Sequence, residues 1–186
     1  MLFDLTAQSK LWVSAFEGQV DAAHVLKEAQ EKLQGTTIQL FDLDKVAGSR
    51  HMLLATFNAL SSYNSNRRIS HSLAMEILLF VSGTGQITEA IKRVGISPKT
   101  SRTAALALVF SDVEAQRVEN FLVDAFRKKA DDTLLDSWTK QRRASVQGVY
   151  GISNKELGAA TRENEKVERA IERLAIERSA MLAIAK

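Results

Sequence analysis

This 186-residue sequence predicts an α+β fold on three observations. Short stretches rich in strand-forming residues are separated by longer stretches with helical spacing of apolar side chains. Hydrophobic residues make up 45% and charged residues 25%, an ordinary globular balance in a chain long enough for one sizeable core. No internal repeat and no low-complexity linker breaks the chain, so residues 1–186 are expected to form a single domain. The expected architecture is a small, mostly antiparallel or mixed sheet of about four strands packed with about seven helices.

Residues 9–17 (SKLWVSAFE) alternate Leu11, Val13 and Ala15 with Trp12, Ser14 and Phe16, which predicts a strand carrying its aromatics on one side. Residues 20–33 place Val20, Ala23, Leu26, Ala29 and Leu33 at helical spacing, with Asp21 in the first turn and Gly35 beyond the end. Residues 36–41 are a second strand. The helix between the two makes a crossover, so the strands are parallel neighbours unless another strand falls between them. Ser49 is the expected cap of a helix over 50–63 whose apolar stripe is Leu53, Leu54, Phe57 and Leu60; Ala55 and Ala59 permit close approach. Residues 61–69 (SSYNSNRRI) are a polar loop.

The centre of the chain is the run from His71 to Ile96. Apolar residues 73–81, interrupted only by Glu76, predict a helix buried nearly all round. Ser82-Gly83-Thr84-Gly85 ends it, and residues 86–94 form an amphipathic helix capped by Thr84 and closed by Gly95. Residues 103–110 are consistent with a buried strand, though their pattern also admits a helix, and residues 113–129 read as a helix capped by Asp112. Residues 133–138 are a candidate last strand, 141–150 a short helix, and Ser153 caps another turn. Residues 162–185 form a long helix supported by Glu165–Arg169 and Arg173–Glu177 pairs.

Charge is distributed unevenly. Residues 1–44 carry three basic and seven acidic side chains, 45–102 eight and two, and 103–186 fourteen and thirteen. The middle third is therefore a candidate phosphate-facing surface. The chain has no cysteine, which excludes disulfides, thiol nucleophiles and cysteine-based metal sites. No apolar run approaches the roughly 20 residues of a membrane span, and no signal segment opens the chain, so a cytoplasmic location is expected. No phosphate-cradling loop, nucleophile elbow or kinase motif is present. His24, His51 and His71 are too scattered to pair as ligands on one helix, so neither metal nor cofactor is expected.

Glu76 interrupts the apolar run and must be paired or protonated if buried. With no nucleophile or second acid beside it, it is expected to be a structural buried charge, as are Glu177 and Arg178 at the end of an apolar stripe. No catalytic residue is expected. The helix–turn–helix spacing over 71–96 also admits a free-standing nucleic-acid-binding domain. Against that reading, Glu89 stands at the entrance of the would-be recognition helix.

Taken together, these residues resemble a known family. His51, Leu53, Leu54, Ala55 and Ala59 are followed by Ser72, Leu73, Glu76, Leu78, Leu79, Ser82, Gly83, Gln86, Ile87, Ala90, Ile91 and Gly95. With the closing Glu177-Arg178-Ser179-Ala180-Met181-Leu182, they resemble the kinase-binding regulatory subunit of the KEOPS complex, called PRPK-binding protein in animals. One departure is Gly85, where the family commonly has a basic residue.

The resemblance implies a non-catalytic adaptor. Such a protein would bind and activate a small atypical kinase/ATPase and help recruit tRNA by its 3′ end for threonylcarbamoyl-adenosine modification. On that implication Ile87 and Ile91 are the candidate kinase contacts. Arg50, Arg67, Arg68, His71, Lys92 and Arg93 are candidate tRNA phosphate contacts, and His51 a candidate partner for an unpaired base.

Overall fold

A computed structural model describes residues 1–65 and 67–184. The fold is α+β, with a four-stranded antiparallel sheet and, among the described residues, eight α-helices. The chain gathers into two compact units, each assembled from two stretches: residues 1–43 with 96–135, and residues 44–95 with 136–186.

The first unit holds the sheet, ordered β1-β2-β4-β3, from β1 (Leu2–Asp4), β2 (Lys10–Glu17), β3 (Thr37–Asp42) and β4 (Arg102–Val109). β4 lies between β2 and β3 and runs antiparallel to both, with Trp12 opposite Ala107 and Leu40 opposite Ala105. The two early strands are thus not neighbours, because the more apolar β4 takes the central place. Residues 133–138 form no strand; a 3-10 turn covers Asp132–Asp136, and the fourth strand is β1 instead.

On one face of the sheet Trp12, Phe16, Ile38, Leu40, Ala105 and Ala107 meet two helices. These are α1 (Ala22–Lys32), through Val25 and Ala29, and α5 (Asp112–Phe126), through Val118, Leu122 and Phe126. Phe16 stacks on Phe126 at 4.5 Å between ring centroids. The caps sit close to the expected positions: Asp21 accepts from the His24 amide, and Ser111 rather than Asp112 accepts from Glu114.

The second unit is helical. It contains α2 (Ser49–Asn64), α3 (Leu73–Ser82), α4 (Ile87–Val94), α6 (Lys140–Tyr150), α7 (Asn154–Ala160) and α8 (Val167–Ile184). α3 packs against α2, α4 and α8, and residues 76–82 are all buried. Gly83 takes the left-handed conformation (φ +66°) that ends α3, and its amide and that of Thr84 close back on Phe80 and Leu79. A side chain at Gly83 would stand 3.4 Å from the Arg178 carbonyl, so the turn also lets α8 come close.

α2 departs from its expected stripe. Its buried side chains are His51, Met52, Ala55, Thr56, Ala59 and Ser62, while Leu53, Leu54 and Leu60 are half-buried and Phe57 is exposed. Small and hydrogen-bonding residues line the closest helix contacts: Thr56 Oγ1 returns to the Met52 carbonyl at 2.7 Å, and Ser62 reaches Glu76. The N-cap of α2 is Gly48, and Asp136 accepts from both the amide and the hydroxyl of Ser49.

The last helix begins at Val167, and Ala185 lies outside the described residues, as does Asn66 of the 61–69 loop. Glu165 therefore precedes α8. It pairs with Arg173 rather than Arg169, while Arg169 bonds Glu172 at 3.1 Å.

Candidate functional site

α4 carries two apolar stripes, only one of which enters the core. Ala90 and Val94 are fully buried, whereas Ile87 is 41% and Ile91 48% exposed. An isoleucine on the solvent side of a helix wastes its transfer free energy unless something covers it. The surface continues beyond α4. A methyl built on Gly85 would lie 3.7 Å from Leu182 and 3.9 Å from Ile69, so the α3–α4 turn, the preceding loop and the end of α8 meet there. Ile69 and Met181 are both exposed. Polar side chains border α4: Arg93 bonds Glu89 at 3.0 Å and reaches the Ser82 carbonyl at 3.4 Å, and Lys92 is exposed.

A second feature is the loop leading into α3, which is built around Glu76. This carboxylate is fully buried. Its Oε2 accepts from the Ile69 amide at 2.9 Å and the Ser70 amide at 2.8 Å, and its Oε1 lies 3.0 Å from the Ser62 hydroxyl. The same hydroxyl is 2.9 Å from the Arg67 carbonyl. Glu76 is thus an anchor satisfied by backbone amides, and the loop it pins presents Arg67, Arg68 and His71 at the surface. The Arg68 guanidinium lies 5.6 Å over the Tyr63 ring, and Tyr63 donates to the His71 carbonyl at 2.9 Å.

The remaining sequence candidates fall in different places. Arg50 is exposed on α2. His51 is fully buried, which corrects its reading as a base contact: it has no surface to offer a nucleotide. Its Nδ1 accepts from the Ala47 amide at 3.4 Å, so Nε2–H donates to Ser179 at 2.8 Å, and Ser179 passes on to the Ala175 carbonyl. Burial pushes the imidazole down to about 3. Of the expected buried charges only Glu76 is enclosed. Glu177 is exposed, and Arg178 is half-buried and paired with Glu156. Glu177 lies on the solvent side of α8 and needs no enclosed partner.

Sequence reasoning missed the placing of the Arg68 guanidinium over the Tyr63 ring and the approach of both Ile69 and Leu182 to Gly85. Tyr63 stood in plain view in the polar run before the arginines, but five residues of sequence separation do not say that its ring and the Arg68 guanidinium come together. Among the described residues no cluster of three or more His, Asp or Glu is placed to hold a metal ion. No described helix is long and apolar enough to cross a membrane.

Comparison with known proteins gives one clear match. The model of a family described as kinase binding protein CGI-121 matches residues 8–183, nearly the whole chain. A search of curated proteins returns no match.

Proposed function

This chain belongs to the CGI-121 family of kinase-binding proteins, and from that premise we propose that it is the non-catalytic regulatory subunit of a KEOPS complex. Residues 1–186 act as one regulatory domain in the cytoplasm. They bind and activate the small atypical kinase/ATPase subunit and help recruit tRNA by its 3′ end for threonylcarbamoyl-adenosine modification. The observation that carries the reading is the outward stripe of α4, where Ile87 and Ile91 stay exposed beside buried Ala90 and Val94. An apolar pair bordered by Lys92 and the Glu89–Arg93 pair has the composition of an interface centre with a polar rim.

Ile87→Asp and Ile91→Asp test the docking half. Each should weaken co-purification with the kinase at least tenfold and remove stimulation of its ATPase, while leaving the thermal midpoint nearly unchanged. Ala90→Asp, one position inward, should instead collapse the fold. Stoichiometric co-purification of both isoleucine variants would refute the assignment.

For RNA, the exposed Arg50, Arg67, Arg68, His71 and Lys92 are the phosphate contacts, with Arg93 held beside them by Glu89. The alternative of a free-standing helix–turn–helix domain is weaker. α3 is enclosed over residues 76–82 and has no face to lay across a nucleic-acid backbone.

A further inference from the structure

The RNA reading above supplies positive charge but no place for a base, and the loop before α3 provides one. We propose that Tyr63 and Arg68 form a clamp for a single unpaired nucleotide, with Arg67 and His71 contacting its flanking phosphates. The proposal rests on the RNA-binding reading and specifies where a single strand is gripped.

Three observations carry it. First, the guanidinium carbon already lies over the ring, 5.6 Å from its centroid. A base sandwiched between them needs about 7 Å, twice the roughly 3.4 Å stacking distance, so a movement of little more than about 1 Å in an exposed arginine admits it. Both groups are planar, and unpaired bases stack on aromatic rings and guanidinium planes alike.

Second, the clamp is held in place before any ligand arrives. The Tyr63 hydroxyl is tied to the His71 carbonyl, and Glu76 holds the amides of Ile69 and Ser70. Pre-ordering lowers the entropy lost on binding.

Third, the loop sets cations beside the ring: Arg67 and Arg68 are both exposed next to Tyr63 in the chain's most basic third. An acidic peptide would use the charges but have no use for the ring, so the pairing of ring with cations favours a nucleotide.

The test uses the full chain and a single-stranded RNA pentamer with 2-aminopurine at its central position. Stacking should quench the fluorophore on binding. Tyr63→Phe should keep both quenching and affinity within about threefold. Tyr63→Leu should abolish quenching and weaken binding roughly 5- to 100-fold, the range expected for loss of one stacked base. Arg68→Gln, at an exposed position, should also reduce quenching and serves as the decisive variant if Tyr63→Leu fails to fold by circular dichroism. Unchanged quenching and affinity in the variants would overturn the clamp and leave RNA binding standing. Equal affinity for a blunt duplex would also overturn it. If the wild-type chain binds no RNA at all, both the clamp and the RNA half of the proposed function fall.

Discussion

Burial holds the His51 imidazole near 3, against an ordinary value of 6.5, and this makes one residue a reporter of the fold's pH response. The folded state keeps the ring neutral, whereas the unfolded chain takes up a proton as pH falls through 6.5. Stability is therefore full above about 6.5 and declines by roughly 1.4 kcal/mol per pH unit toward 3. Glu165, lowered to about 2 by its hydrogen bond to Arg173, acts with the same sign but only below 4.5. Glu172, raised above 4.5 by its burial, acts with the opposite sign at the acid end of this range, so the histidine's share is read by comparison with His51→Gln. Between pH 7 and pH 5 the guanidinium unfolding midpoint should fall further in the wild type than in His51→Gln, whose overall stability is lower. Equal pH responses of the two proteins would mean that the ring is not enclosed. The same residue shows how a sequence reading can miss: a histidine followed by apolar residues looks alike whether it faces a base or Ser179, since only the 128-residue separation of that pair closes the bond.

At the scale of elements, the α3–α4 hairpin contains two glycines that are required for different reasons. Gly83 sits at φ +66°, so Gly83→Ala should cost about 1–2 kcal/mol and Gly83→Asn less, because asparagine tolerates that conformation. Gly95 has an ordinary φ of −70°, but a side chain there would stand 2.4 Å from the Ile91 carbonyl oxygen. Gly95→Ala should destabilise by about 1–3 kcal/mol with no relief from asparagine. Thermal melts of the four variants distinguish the two causes. Gly85 lies between these cases. A side chain there meets only ordinary contacts with Leu182 and Ile69, so Gly85→Lys should fold normally, and it adds a positive charge at this turn. Its expected effect is tighter RNA binding, with a salt slope steeper by about 0.7.

These glycines were legible in the sequence because helix termination is local chemistry. The apolar stripe of α2 was not: leucine spacing pointed to Leu53, Leu54, Phe57 and Leu60, but close packing against α3 and α8 selected Ala55, Ala59 and Ser62.

Across the whole molecule, the basic stretch of residues 45–102 falls largely within the helical unit, which also carries the exposed isoleucines. One unit thus presents both exposed apolar side chains and a cationic stretch. Replacing Arg67 and Arg68 together by glutamine should lower the salt dependence of single-strand binding by about 1.4 on a log–log plot and leave kinase co-purification intact. A titration with unchanged slope would remove these arginines from the interface.

By itself the sequence determined the α+β class, β2 and β3, the enclosed α3 and the break after it, and the need for Glu76 to find partners. Each of these follows from periodicity, backbone permissiveness or the cost of burying charge over a few neighbouring residues. Tertiary structure alone decided that β4 separates β2 from β3, that β1 rather than 133–138 completes the sheet, and that Ile87 and Ile91 face outward while His51 does not. It also brought Tyr63 under Arg68. Those outcomes depend on which distant surfaces compete for the same apolar and polar groups, and no local pattern encodes the winner.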